Sequence, residues 1–229
     1  MNSSNPLHDF HPVVRRWFEK TFPEPSPPQR QGWPSISAGQ NTLILAPTGS
    51  GKTLAAFLWG INHLVEQHLR EDLSKGVRIL YISPLKALNN DIQRNLELPL
   101  RGIRTEAAEE HIDLPVIRTA VRTGDTPQRD RSAMVRNPPD ILITTPESFY
   151  LMLTSTQARK IFRTVQYVIV DEIHSICSNK RGVHLSLSLE RLSDLAAQEF
   201  IRIGLSATQR PLETIAAFLG GQNRLNGQL

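Results

Sequence analysis

The sequence predicts an α/β fold: a mostly parallel β-sheet with helices on both faces. Three observations carry that expectation. From Thr42 onward, short β-rich apolar runs alternate with longer stretches of helical periodicity, and strand, helix, strand repeated in this way implies right-handed crossovers between parallel strands. The runs Leu43-Ile44-Leu45 and Tyr167-Val168-Ile169-Val170 are apolar at successive positions, as strands covered on both sides should be. A glycine-rich turn joins the first such run to the first long helical pattern, which is where open parallel sheets place their ligands.

Ahead of the alternation, Pro12 can open a leading helix whose Val13, Val14, Trp17 and Phe18 share one face. Pro23, Pro25, Pro27 and Pro28 then end it. They read as a stiff connector, since no second proline-rich tract supports a recognition motif. Strands are expected at Thr42–Leu45, Val77–Ile82, Val116–Arg122, Ile141–Thr144, Val165–Val170 and Ile201–Leu205. Helices are expected near Lys52–Leu69, Lys86–Leu96, Gln128–Val135, Glu147–Leu153, Leu185–Ala197 and Leu212–Leu219. The polar, weakly periodic stretch Arg101–Pro115 reads as a surface loop or a short helix. Internal repeats and low-complexity tracts are absent. The expected organisation is residues 1–28 as a leading helix with a proline-rich segment, 29–221 as the α/β unit, and 222–229 as a cut linker.

A chain of 229 residues suits one large α/β domain. With 39% hydrophobic and 21% charged residues it is neither coiled coil nor disordered, and 13 Gly with 16 Pro exclude collagen. No window approaches the ~18 consecutive apolar residues of a membrane span, and Met1 to Pro6 lacks the basic and apolar regions of a signal peptide. No membrane partner and a cytoplasmic location are therefore expected. The single cysteine, Cys177, allows no internal disulfide, and no zinc-ligand spacing occurs. The net charge of +4 is compatible with a polyanionic partner without identifying one.

The strongest chemical signal is Ala46-Pro47-Thr48-Gly49-Ser50-Gly51-Lys52-Thr53, directly after an apolar strand and before a helix. Glycines let successive backbone N–H groups face phosphate oxygens, and the following helix adds its positive end. Lys52 would reach the β/γ-phosphates of ATP, Thr53 would ligate Mg²⁺, and Thr48, Gly49, Ser50 and Gly51 would cradle the nucleotide. Ala46 stands where the general pattern has its first glycine. Asp171-Glu172-Ile173-His174 follows the second fully apolar strand, so parallel strand direction delivers both carboxylates to the same sheet edge. There Asp171 suits a metal held through its water shell, and Glu172 suits a base that orients and deprotonates water.

These motifs, followed by Ser206-Ala207-Thr208 after the last strand, resemble motifs I, II and III of superfamily-two helicases, in their usual order. Pro84-Leu85-Lys86-Ala87-Leu88, Arg122-Thr123-Gly124-Asp125-Thr126, Thr144-Thr145-Pro146-Glu147-Ser148 and the tract from Lys180-Arg181-Gly182 to Leu192 are similar to the large helicase-related (Lhr) family. The resemblance spans roughly Pro12 to Gly221. It implies a RecA-like lobe with ATP and Mg²⁺ as cofactors and single-stranded nucleic acid as partner, DNA ahead of RNA. It also implies a second RecA-like lobe carrying the arginine finger and motifs IV to VI. By resemblance, Gln29 reads adenine near Phe22, and His174, Ser206 and Thr208 couple nucleotide state to strand contacts. Pro84, Lys86, Thr123, Gly124, Thr145 and Glu147 would line the strand.

Bland readings stand beside several of these. Gln29 fits an ordinary surface residue, Thr145 a helix cap, Lys86 a solvated helix position, and Lys180-Arg181 either a solvated loop or a strand contact. Trp33, Phe57 and Trp59 read as packing residues. Two other functions compete: a nucleotide- or strand-binding module without catalysis, and an RNA-directed DEAD-box-like enzyme, against which the Asp-Glu-Ile-His tetrad and the tract after Gly182 argue.

Overall fold

The computed structural model describes residues 5–71, 74–207 and 212–221. Chain order is α1 (Pro12–Thr21), α2 (Pro27–Ser37), β1 (Thr42–Leu45), α3 (Lys52–Leu69), β2 (Ile79–Ile82), α4 (Lys86–Glu109), β3 (Thr119–Arg122), α5 (Gln128–Arg136), β4 (Ile141–Thr144), α6 (Pro146–Thr154), β5 (Tyr167–Val170), α7 (Lys180–Leu195), β6 (Ile201–Ser206) and α8 (Leu212–Gly220). Single 3₁₀ turns at Ala158–Phe162 and Ile173–Ser175 flank β5. The six strands form one sheet in the order β1-β6-β5-β2-β4-β3, and every pairing is parallel.

Successive residues of the central strands serve opposite layers. Ile79 and Tyr81 pack with α1 to α4, while Leu80 and Ile82 pack with α6, α7 and α8. All four are fully buried, which explains the unbroken apolar runs. The two cores lie on the two faces of the sheet, as the alternation of elements requires.

Four local readings are corrected by packing. Pro27 and Pro28 do not extend a connector; they occupy the first turn of α2, where a missing N–H costs nothing, with Ser26 as the preceding cap. The division expected between residues 28 and 29 thus falls inside α2, and α1 belongs to the same core as the sheet. Arg101 to Glu109 continues α4 straight through Pro99, because Ile92, Leu96, Ile103 and Ala107 keep one buried face at helical spacing. Gly102 makes room there: a Cβ on it would lie 2.1 Å from Trp17 Nε1, so only glycine lets α1 settle on α4. Lys20 to Glu106 and Arg16 to Glu110, at 2.8 and 3.1 Å, pin the same contact. α7 begins at Lys180, five residues before its apolar pattern, because Asn179 Oδ1 accepts from the N–H groups of Arg181 and Gly182. Strands β2, β3 and β5 start two or three residues later than expected, and β6 runs one residue further, to Ser206.

Candidate functional site

Register decides where the motifs meet. Leu45 pairs with Ser206, Ile82 with both Val170 and Thr144, and Arg122 with Thr144. Each of those residues is the last of its strand. Everything that follows them, the glycine-rich loop, Pro84, Thr123, Thr145 and Asp171, therefore emerges at one carboxyl edge of the sheet.

A cavity of about 470 Å³ opens at this edge, lined by Thr48, Gly49, Gly51, Lys52 and Thr53 on one side and by Asp171 and Glu172 on the other. Trp17, Phe22, Leu96 and Pro99 supply its apolar wall. Gly49 and Gly51 adopt φ of 79° and 87°, a backbone that side chains resist. A Cβ on Gly49 would meet nothing within 4 Å, whereas one on Gly51 would lie 2.9 Å from Ser26 Oγ and 3.0 Å from Gln29 Nε2. The loop is stabilised internally. Ser50 Oγ donates to the Pro47 carbonyl at 2.7 Å, and the buried Lys52 ammonium donates to the carbonyls of Ala46 and Pro47.

Asp171 is held from two sides. The Tyr81 hydroxyl on β2 donates to its Oδ2, and the Glu172 N–H donates to Oδ1 at 2.8 Å. Tyr81 stacks on Phe57 of α3 with ring centroids 5.2 Å apart. Burial first, and the adjacent Asp171 carboxylate second, push the phenol far above its ordinary range, so it remains a donor. Glu172 itself sits at φ 48°, a left-handed conformation uncommon outside glycine. Its Oε2 lies 3.2 Å from His174 Nε2, and His174 Nδ1 lies 3.0 Å from Ser206 Oγ. The His174 imidazole thus bridges the Glu172 carboxylate and the Ser206 hydroxyl, which joins β6 to the acidic turn.

Gln29 is buried rather than an ordinary surface residue. Its Oε1 accepts from the Ser26 N–H at 2.8 Å, and its amide nitrogen approaches the backbone of Gly51. Phe22 packs against Phe18 with ring centroids 4.9 Å apart and lines the cavity.

The expected strand-facing residues form a second group beside this cavity. Thr145 caps α6, its Oγ accepting from Ser148 N–H at 3.3 Å, so the structural reading of that residue holds. Pro84 is buried, Thr123 half-buried and Gly124 exposed. The turn from Thr123 to Thr126 is tied down by Arg131, which donates to the carbonyls of Gly124 and Thr126, both at 2.6 Å. Lys86 opens α4, and Thr208 lies outside the described residues. Trp33 and Phe57 are fully buried and Trp59 partly so, all packing residues. Sequence reasoning missed Tyr81 and the partners of Arg181, whose Nε donates to Glu147 Oε1 at 2.7 Å and whose Nη2 donates to the Pro84 carbonyl at 3.0 Å. Partial burial, the largest single influence, opposes ionisation of Glu147, but the bond and charge of Arg181, together with hydrogen bonds from the Glu147 backbone and from Thr145, outweigh it and hold the carboxyl below the usual range.

The profile of the DEAD/DEAH box helicase family matches residues 26–215, most of the chain. The chain belongs to the DEAD/DEAH box helicase family. Among helicases of this kind, it is 54% identical over 96% of its length to the ATP-dependent helicase Lhr-Core of Methanothermobacter thermautotrophicus. It is 51% identical over 93% of its length to the Lhr helicase/uracil glycosylase of Escherichia coli. It spans only 26% and 14% of those relatives. The structure of the Mycobacterium smegmatis helicase Lhr bound to ssDNA and AMP-PNP superposes with a TM-score of 0.90 at 52% identity, covering 96% of this chain and 27% of that one. The DEAD-box helicase Mss116, 20% identical with a TM-score of 0.76, shares the fold. The RecA-like lobe expected from the motifs is therefore the fold observed, and the likeness to Lhr helicases extends over nearly the whole chain.

Proposed function

We propose that this chain is the first RecA-like lobe of an Lhr-like, ATP-dependent helicase or translocase that acts on single-stranded DNA and works with a second lobe. One observation carries the reading: the glycine loop and the Asp171-Glu172 pair line a single cavity at the sheet edge where the strand motifs also emerge. The M. smegmatis helicase Lhr was solved with ssDNA and AMP-PNP, which favours DNA over RNA here.

In this reading the N–H groups around Gly49 and Gly51, with the N-terminus of α3, hold the triphosphate. Lys52 exchanges its carbonyl partners Ala46 and Pro47 for phosphate oxygens. Thr53 and Asp171 offer the hard oxygen donors that Mg²⁺ takes, and both line the cavity. Among the described residues no larger cluster of acidic or histidine ligands exists, as suits an ion that keeps waters and phosphates in its shell. When bound, such an ion would neutralise charge on the phosphates. Glu172 orients the attacking water and takes its proton, with its carboxylate steadied by His174. In the same reading Gln29, which lies beside Gly51, would sense the base, and His174 with Ser206 would link that chemistry to β6. Lys86, Thr123, Gly124 and the N-terminus of α6 at Thr145 would hold strand phosphates without reading bases, and Pro84, which has no N–H to donate, would shape the same face.

Because an arginine finger contributes ~10³–10⁵ in rate in phosphoryl-transfer enzymes, the chain alone should hydrolyse ATP slowly and the two-lobed protein quickly when a strand is added. In the two-lobed protein, Lys52→Ala and Glu172→Gln should both abolish strand-stimulated turnover, while Glu172→Gln retains nucleotide binding better. Wild-type turnover in either variant refutes the role assigned to that residue. Matched ssDNA and RNA titrations decide the strand.

A further inference from the structure

Glu147 poses an electrostatic problem for a face that is to receive phosphates. It is exposed, ionised and placed in the first turn of α6, beside Thr145 and Pro84. A carboxylate accepts hydrogen bonds but donates none, so it repels a phosphate rather than holding one. Its partner resolves the conflict. Arg181 reaches across from the start of α7 to Glu147 and to the Pro84 carbonyl, so one guanidinium joins three segments that come from separate strands.

Those two bonds consume Nε and one Nη2 hydrogen of a planar group with five donors in fixed directions. Among the described residues Nη1 has no partner, and the side chain is 44% exposed. The guanidinium is thus oriented by protein through Nε and Nη2 while the side chain as a whole stays partly exposed. An arginine held this way loses little side-chain freedom when it takes a ligand. Its anchor is stiff as well, because Gly182 packs so closely on the Ile176 carbonyl that a Cβ would lie 2.0 Å from its oxygen. Ile176 in turn belongs to the segment that begins with Asp171 and Glu172.

We propose that Arg181 is a strand-phosphate contact, oriented by Glu147 and the Pro84 carbonyl, and that Glu147 serves the strand only through Arg181. This rests on the single-strand reading above. The chemistry recognised is a phosphodiester oxygen, with no base preference.

Salt dependence is the readout that separates this role from a merely structural one. Each phosphate neutralised on a single strand contributes about 0.7 to the slope of log K against log salt. Anisotropy titrations of the chain with a fluorescent oligo-dT should show that Arg181→Gln loses about tenfold in affinity at moderate salt, as one charge-assisted contact predicts, and that its slope falls by about 0.7. Arg181→Lys should keep the slope while losing part of the affinity, because an ammonium cannot hold both anchors at once. Glu147→Gln keeps an oxygen acceptor for Nε but loses the charge that strengthens the bond, so it should lose less affinity than Arg181→Gln and leave the salt slope unchanged. Thermal unfolding of each variant shows whether the fold is intact; if Arg181→Gln unfolds, the Arg181→Lys and Glu147→Gln pair still tests the assignment. Unchanged affinity and slope in Arg181→Gln, or a loss in Glu147→Gln as large as that in Arg181→Gln, overturns the proposal. If the wild-type chain shows no affinity, the same titrations are made on the two-lobed protein, where no affinity for the oligonucleotide overturns the single-strand reading itself.

Discussion

Replacing Tyr81 by Phe deletes one oxygen atom and tests how the acidic turn is held. The ring should keep its stack on Phe57, so packing is nearly unchanged. What is lost is the hydroxyl that donates to Asp171 Oδ2, at a carboxylate only 8% exposed. A buried hydrogen bond to a charged acceptor contributes about 1.5–3 kcal/mol, and here its loss leaves Oδ2 short of a donor. For domains of roughly this size each kcal/mol moves the melting temperature by about 2–4 °C, so the variant should melt about 3–12 °C lower. Differential scanning calorimetry of both proteins at pH 7 without nucleotide provides the comparison. A second titration follows Mg²⁺ at fixed fluorescent nucleotide. With Oδ2 no longer oriented, half-saturation should require more Mg²⁺, whereas affinity for metal-free nucleotide should stay close to that of the wild type. A melting temperature within about 1 °C of wild type, or an unchanged Mg²⁺ requirement, would refute the claim that Tyr81 orients this carboxylate.

Two further outcomes follow from geometry already described. Gly51→Ala should cost more stability than Gly39→Ala, although φ is positive at both, 87° and 78°. Each substitution carries about 1–2 kcal/mol of left-handed strain, but only the Cβ at position 51 collides, with Ser26 and Gln29, while that at 39 meets open space. Chemical denaturation measures the difference, and equal losses in the two variants would contradict it. Acid should also weaken the fold before carboxylates titrate. His11, His63 and His68 are all held below their ordinary range, in each case chiefly by burial. Below about pH 6.5 the unfolded chain therefore binds protons that the folded chain still refuses. Stability should fall as pH drops through that value, and His63→Gln, which removes the imidazole bonded to Tyr167, should flatten the decline seen in urea midpoints at pH 7.5 and 5.5.

The residues that meet in the candidate site could be picked out in the sequence because they are contiguous. Ala46 to Thr53 and Asp171 to His174 each announce a phosphate or metal role by composition and by position after an apolar strand. The signal for α2 was also present, since Ser26 followed three residues later by Gln29 is a helix-start pattern, but the proline run masked it. The polar stretch from Arg101 hid the continuation of α4 through Pro99. A proline inside a helix usually ends it, yet burial of Ile92, Leu96, Ile103 and Ala107 on the sheet and α1 overrides the lost hydrogen bond.

By itself the sequence determined the α/β order, the two buried faces of the central strands, the glycine-rich loop and the acidic pair, all of which depend on neighbours along the chain. Only the tertiary structure decided that Tyr81 reaches Asp171 across 90 positions and that Arg181 reaches Glu147 across 34 and Pro84 across 97. No periodicity encodes such pairs. They exist because parallel strands deliver distant segments to one edge, where a tyrosine or an arginine finds the acceptor that packing happens to place beside it.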